Sequence, residues 1–344
     1  MLYAGIDEAG YGPMLGPLCV ALTVFEAPGR SDEGPVDTPD LWGVLSEGVC
    51  REAREAGSTR VAVNDSKRLK GSNALKTRHP LMHLERGVLG FVQALHRDAG
   101  VADDAALLRA LGAANKDGEG ETLEWYRGDP VALPVSTTPD HLQLIGGRLR
   151  AVCERAGVSV LDVSARMLDE RAFNDHLRGA TSKAEVTLGL VGRLIRRVWR
   201  SERAVVTGPD HGACVVVDRQ SGRMRYAPML RQFVPEATIR VVRESDEESV
   251  YALSAREDDG TRREISISFR VEAERWHFPV ALASMTAKYV RELSMLRFNR
   301  FWCGRYSELK PTAGYVADAR RWLADLQMLS GVPEASLREM CRRA

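Results

Sequence analysis

The sequence predicts an α/β protein with a mixed central sheet flanked by helices. Three observations predict it. Short apolar, β-branched runs recur along the chain, segments with helical spacing of apolar residues lie between them, and residues 238–271 alternate as antiparallel hairpins do. No Gly-x-Gly-x-x-Gly opens a helix and no Gly-x-x-x-x-Gly-Lys-Ser/Thr loop is present, so a dinucleotide or nucleoside-triphosphate site of the usual α/β kinds has no support.

Leu2 to Asp7 and Leu18 to Phe25 are apolar runs of strand length, separated by a connection punctuated with Gly10, Gly12, Pro13, Gly16 and Pro17. Glu26 to Asp40 is rich in Pro, Gly and acid and is expected as a surface loop, as is 115–138. Pro80 to Leu111 has helical spacing, and a helix end from Ala151 leads into a strand at Val158 to Val163. From Lys183 to Arg200, Val186, Leu190, Leu194 and Val198 recur every fourth residue as one helical face. Arg193, Arg196, Arg197 and Arg200 occupy another face, either solvated or in contact with phosphates. Ala204 to Val206 and Ala213 to Asp218 are strand-like around a Gly-Pro-Asp-His-Gly turn, and Ile239 to Val242 and Ile265 to Val271 belong to the hairpins, an expected insertion. Pro279 to Arg300 and Val316 to Leu329 are helices.

Composition bounds the function classes. The 344 residues are 44% hydrophobic and 28% charged, the balance of a globular chain, and the length suits about two domains or one with insertions. A net charge of +1 does not advertise nucleic-acid binding, so any basic surface is a local patch. No apolar run approaches the ~18 residues of a membrane span, and the N-terminus has no basic segment leading into an apolar one. The six cysteines contain no Cys-x-x-Cys and the seven histidines no His-x-x-x-His, so reduced thiols and no zinc site are expected. A cytoplasmic monomer with no membrane association is the resulting expectation.

The most informative segment is Gly5-Ile6-Asp7-Glu8-Ala9-Gly10-Tyr11-Gly12-Pro13. Two adjacent carboxylates at the end of an apolar strand oppose each other's ionisation unless a cation neutralises them, and a hard divalent metal is the natural partner. On a regular strand Asp7 and Glu8 point to opposite faces, so a shared metal region requires the strand to end or twist there. Gly10 and Gly12 permit that, and let backbone N–H groups approach a phosphodiester.

This segment and four others, in order, resemble ribonuclease HII. Asp7 to Pro13 with Gly16-Pro17 is similar to the family's Asp-Glu-Ala-Gly-Arg-Gly-Pro signature, and Asn64-Asp65-Ser66-Lys67-Arg68-Leu69 to its Asp-Ser-Lys-Lys-Leu loop. Val216-Val217-Asp218 falls where the family has a strand ending in an aspartate. Glu274, followed by Ala283-Ser284-Met285-Thr286-Ala287-Lys288-Tyr289-Val290-Arg291-Glu292, resembles an aspartate and an Ala-Ser-Ile-x-Ala-Lys-Val-x-Arg-Asp helix, and Lys310 to Tyr315 a Lys-Gly-Tyr element.

The resemblance implies a ribonuclease H-like catalytic domain at 1–292, with insertions at about 26–60, 100–140 and 238–271, and a helical extension at 293–344 packed on it. It implies two Mg2+ or Mn2+ ions held by Asp7, Glu8, Asp218 and Glu274. The activity implied is hydrolysis at RNA or embedded ribonucleotides in RNA/DNA hybrids or ribonucleotide-containing duplex DNA, leaving 5′-phosphate and 3′-hydroxyl ends. Gly10, Tyr11, Gly12, Ser66, Lys67, Lys288, Arg291 and Tyr315 would contact substrate. The four carboxylates are then expected to converge. Asp218 is preferred over Asp210 as third ligand because it ends the apolar run Val215-Val216-Val217. Two departures stand out: Tyr11 replaces the family's arginine, and Glu274 its usual aspartate.

Overall fold

The computed structural model describes residues 1–28, 38–73, 77–96, 100–113, 123–206, 212–220, 222–256, 260–331 and 333–343. The strands of its main sheet are β1 (Leu2–Ala9), β2 (Leu18–Glu26), β3 (Ser159–Leu168), β4 (Ala213–Asp218), β5 (Thr238–Glu244), β6 (Glu248–Arg256) and β7 (Arg262–Arg270), in the order β3-β2-β1-β4-β7-β6-β5. Val205–Val206 adds a short antiparallel ladder to β7. The main helices are α1 (Met82–Leu95), α2 (Pro139–Arg155), α3 (Glu170–Arg178), α4 (Lys183–Trp199), α5 (Ala227–Phe233), α6 (Phe278–Arg305) and α7 (Val316–Ser330). This is the expected mixed sheet flanked by helices.

The three central strands β1, β4 and β7 run parallel, whereas β2 and β6 flank them antiparallel. Central parallel strands are covered on both faces, which is why Ala213 to Val217 reads as an unbroken apolar run. Tyr3, Cys214 and Val216 face α1, α2 and α6, whereas Leu2, Ala4, Ile6, Val215 and Val217 face α4 and α5. The hairpins at 238–271 continue this sheet, because β7 pairs with β4 from Ile265↔Ala213 to Arg270↔Asp218. Two of the four arginines on that face of α4 are tied to protein: Arg196 Nη1 donates to Phe233 O at 3.0 Å and Arg197 pairs with Asp162 at 2.8 Å, while Arg193 and Arg200 are exposed.

Helix α6 crosses β1 so closely that a Cβ on Gly5 would lie 2.2 Å from the Pro279 carbonyl carbon, and only glycine permits the approach. Thr23 Oγ1 donates to Pro279 O at 2.7 Å and fixes the same crossing from β2. Phe278 then packs edge-on against Trp42, Phe25 and Phe91 with ring centroids 5.2, 5.5 and 5.8 Å apart, each contact worth about 0.5–1.5 kcal/mol beyond its burial. Trp42 thereby anchors the 38–60 segment on the core.

The 292/293 division expected from the sequence falls inside α6, which is continuous through it. The second half of the helix builds a separate apolar cluster: Met295 and Phe298 pack with Leu15, Trp125, Trp322, Leu326, Leu337 and Met340. Among the described residues no helix is long and apolar enough to cross a membrane.

Candidate active site

The ladder between β1 and β4 ends at Ile6↔Val217, so the next residues, Asp7 and Asp218, stand where two parallel strands part at their carboxyl ends. In open α/β sheets that crevice is where ligands bind. Strand β1 nevertheless continues to Ala9, paired with β2 at Asp7↔Ala21 and Glu8↔Val20. Asp7 therefore lies on the α6 side with Tyr3, and Glu8 follows on the other side. Glu274 arrives from the short 3-10 turn Ala273–Arg275 that follows β7. Glu272 adopts the left-handed conformation (φ 51°) that bends the chain there, and the Ala273 N–H then donates to Asp218 Oδ1 at 2.9 Å.

The four acids act on one another. Burial pushes the Asp7 carboxyl well above its ordinary value, and the charges of Glu8 and Glu274 push it further. Asp218 is raised to about 9 by burial and then by Asp7 and Glu274. Glu8 is raised to about 7, first by burial and then by Asp218, with Gln220 and Lys67 opposing. Glu274 keeps a buried Oε2 with no hydrogen-bond partner. Little offsets this concentration of charge: Asp7 Oδ1 accepts from the Glu8 N–H at 2.6 Å.

The four acids thus share one electrostatic neighbourhood, but the convergence expected of them is incomplete. Among the described residues, no three His, Cys, Asp or Glu side chains come close enough to enclose an ion. Asp210 lies outside the described residues, whereas Asp218 is in the cluster.

Two further side chains belong to the site and were not singled out from sequence. The Ser284 hydroxyl, on the first turns of α6, pairs with Ser66 Oγ at 3.0 Å and favours the ionised form of Asp7. It thus ties the Asn64-to-Leu69 loop to β1. Gln220 is buried beside Glu8, where its side-chain amide favours the ionised carboxylate. Ser284 lies four residues before Lys288, on one face of the helix, which is the signal that would have pointed to it.

The expected substrate contacts divide into two groups. Tyr11, Lys67 and Tyr315 are exposed, and Gly12 borders open space. Gly10 adopts φ 94°, and a Cβ there would lie 2.5 Å from Pro17 O and 2.9 Å from Arg291 Nε, so the turn requires glycine. Met14 N and Leu15 N donate to Gly314 O at 2.8 and 3.2 Å, which brings Tyr315 beside this loop.

Arg291 corrects the expectation of a phosphate contact. It has no exposed surface, and its Nη2 donates to Leu15 O at 3.0 Å and Ala313 O at 3.2 Å. Its role is to hold the glycine loop and the Tyr315 loop together from behind. Lys288 is also drawn inward, pairing with Glu292 at 2.9 Å, and Ser66 is buried against Ser284. His277 is a packing residue: its Nδ1 meets Tyr3 Oη at 2.7 Å, and burial lowers its pKa to about 4.

No protein-family model matches the chain, and no curated protein matches it. Among solved structures it is similar to a chain of the PCNA:RNase HII complex from Archaeoglobus fulgidus, at 15% identity and a TM-score of 0.41, covering 100% of this chain and 94% of that one. It is similar to Bst-RNase HIII in complex with Mn2+ at 15% identity and a TM-score of 0.41, covering 99% of this chain and 66% of that one. Ribonuclease H2 from Pyrococcus horikoshii OT3 aligns at 14% identity and a TM-score of 0.40, covering 100% and 93%.

Proposed function

We propose that this chain is a metal-dependent endoribonuclease of ribonuclease HII type. Its substrate would be RNA, or single ribonucleotides, within RNA/DNA duplexes, hydrolysed to 5′-phosphate and 3′-hydroxyl ends. The observation that carries the reading is the gathering of Asp7, Glu8, Asp218 and Glu274 at the parting ends of parallel strands. Burial first, and then the charges of their neighbours, raise the pKa values of Asp7, Glu8 and Asp218, and among the described residues a buried Glu274 oxygen has no hydrogen-bond partner. A structural role would have surrounded such acids with donors.

The donor set is all carboxylate oxygen, which suits Mg2+ or Mn2+, and Asp7, Glu8, Asp218 and Glu274 would hold the ions. Bound there, they would activate water and stabilise charge on the scissile phosphate. The protein's own part is placement. Tyr11 and Gly12 of the glycine loop are exposed at the rim, and Lys67 stands as an exposed cation near Glu8. Ser284 fixes Asp7 from the helix side. Phosphate contacts of this kind position a duplex, while the 2′-hydroxyl distinguishes RNA from DNA.

The test is incubation with Mg2+ or Mn2+ of three labelled duplexes: one with a single ribonucleotide, one RNA/DNA hybrid and one all-DNA. Cleavage of the first two and not the third is expected, with EDTA abolishing it. Binding of these duplexes without cleavage under either metal would favour a non-catalytic nucleic-acid-binding protein of this fold. Cleavage of all-DNA would favour a nuclease with another substrate.

A further inference from the structure

Trp276 ends the turn that carries Glu274, and it is 63% exposed. The residues that follow, His277 and Phe278, are buried, so the indole is left outside where the chain turns inward after it. That backbone is fixed: Trp276 N and His277 N both donate to Ala273 O, at 3.1 and 2.9 Å, and the Ala273 N–H is itself on Asp218. Arg51 Nη1 donates to Arg275 O at 2.8 Å and braces the turn from the other side. The Arg270 guanidinium lies 6.0 Å from the ring centroid. A large aromatic surface is thus mounted rigidly, open to solvent, within one turn of the acid site.

The charges around it are mixed, with Glu272 and Glu274 in its own turn and Arg270 and Arg275 beside them. Arg51, Arg68, Arg270 and Arg275 are opposed by Glu52, which faces Arg68 at 3.9 Å, and Glu272, which faces Arg275 at 2.8 Å. An exposed ring among arginines is the combination that binds nucleic-acid strands, through stacking on a base and attraction of the backbone. Bases inside a duplex already stack on both faces, so only an unpaired base offers one to the protein.

We propose that Trp276 is a stacking platform for an unpaired base of the strand bound at the four acids. It would make hybrids with a single-stranded segment beside the cleavage site the favoured substrates. This rests on the nuclease reading above and adds a substrate preference to it.

The experiment is fluorescence anisotropy in EDTA with two labelled RNA/DNA hybrids, one blunt and one with a single-stranded overhang, on the full chain and its Trp276→Ala and Trp276→Phe variants. Wild type is expected to bind the overhang hybrid about tenfold more tightly than the blunt one, the scale of one stacked base. Trp276→Ala should remove that difference, and Trp276→Phe should retain part of it. Equal binding of the two hybrids by wild type, or equal weakening on both by Trp276→Ala, overturns the platform while leaving the nuclease reading standing. No binding of either hybrid by wild type in EDTA overturns the platform, and the cleavage assay with Mg2+ or Mn2+ then decides the nuclease reading separately.

Discussion

Two sets of buried carboxylates in this molecule differ in what surrounds them. Glu85 and Asp104 are buried, as Asp7 is, whereas Glu8, Asp218 and Glu274 are half-buried, and both Glu85 and Asp104 are fully answered. Glu85 accepts from Val135 N at 2.6 Å, Ser136 N at 2.8 Å and Tyr289 Oη at 2.8 Å. Asp104 takes both Arg297 Nε and Nη2 at 2.5 Å, with Val131 N at 2.8 Å. These bonds staple the 100–140 region to α1 and α6. Asp7, Asp218 and Glu274 instead act on one another, with one backbone donor each on Asp7 and Asp218, the Ser284 hydroxyl favouring ionised Asp7, and an oxygen on Glu274 unpaired among the described residues. Burial of charge alone does not mark a functional site. Burial without compensation does, because it leaves work for a cation to do.

The sharpest way to break this comparison is to remove one charge from each set. Asp7→Asn is expected to lower metal-dependent cleavage at least about a thousandfold, roughly 4 kcal/mol in the barrier. In metal-free protein its melting temperature should be equal to or above that of the wild type, since repulsion is relieved. Asp104→Ala should do the opposite. It strands the buried Arg297 guanidinium and should cost about 3–5 kcal/mol of stability in a denaturant titration. A large loss of stability in Asp7→Asn would put Asp7 among the structural acids.

A smaller effect separates the sets by pH. The pKa values of Asp7, Glu8 and Asp218 are all raised in the folded chain, so the folded state binds these protons more tightly than the unfolded state does. Their contribution to stability is complete at low pH, below the ordinary carboxylate range. It is lost as pH rises through about 7 for Glu8 and about 9 for Asp218, at no more than about 1.4 kcal/mol per pH unit for each group. Melting of metal-free protein from pH 5 to 9 should therefore fall more steeply for wild type than for Asp218→Asn, and added Mg2+ should flatten the wild-type curve. Equal slopes would mean that Asp218 is already compensated.

These contrasts also explain what could be read from the sequence. Strands β1, β2 and β4 and the pair Asp7-Glu8 were legible because apolar runs ending in acid are local patterns. The partners were not local. Arg297 meets Asp104 across 193 residues, and Ser284 meets Ser66 across 218. Helix α6 misled for the same reason. Lys288 and Arg291 look like a basic face, yet most of the helix is buried on all sides, with Lys288 paired to Glu292 and Arg291 Nη2 donating to Leu15 O and Ala313 O. The hairpins at 238–271 looked like an insertion because sequence shows their antiparallel pairing but not the parallel ladder from β7 to β4.

The smallest expected effect concerns Tyr11, at the rim where the uncompensated acids meet solvent. Gly10 is locked by its positive φ and by Arg291 behind it, so the backbone N–H groups of the loop are held whatever side chain stands at position 11. The Tyr11 side chain is 37% exposed, so replacing it should leave the fold intact. Its ring offers one neutral hydroxyl where an arginine would offer a charged, bidentate fork to a phosphate. The wild type should therefore discriminate weakly between a single embedded ribonucleotide and a longer RNA/DNA hybrid. Tyr11→Arg should shift the ratio of kcat/KM toward the single-ribonucleotide duplex by about five- to tenfold, on the order of 1 kcal/mol, the scale of one solvent-accessible charged hydrogen bond. The shift should shrink at high salt, because an exposed contact is screened. If the wild type already cuts the single-ribonucleotide duplex much faster than the hybrid, and Tyr11→Arg leaves that ratio unchanged, selectivity must come from the buried acids and the 2′-hydroxyl rather than from the rim.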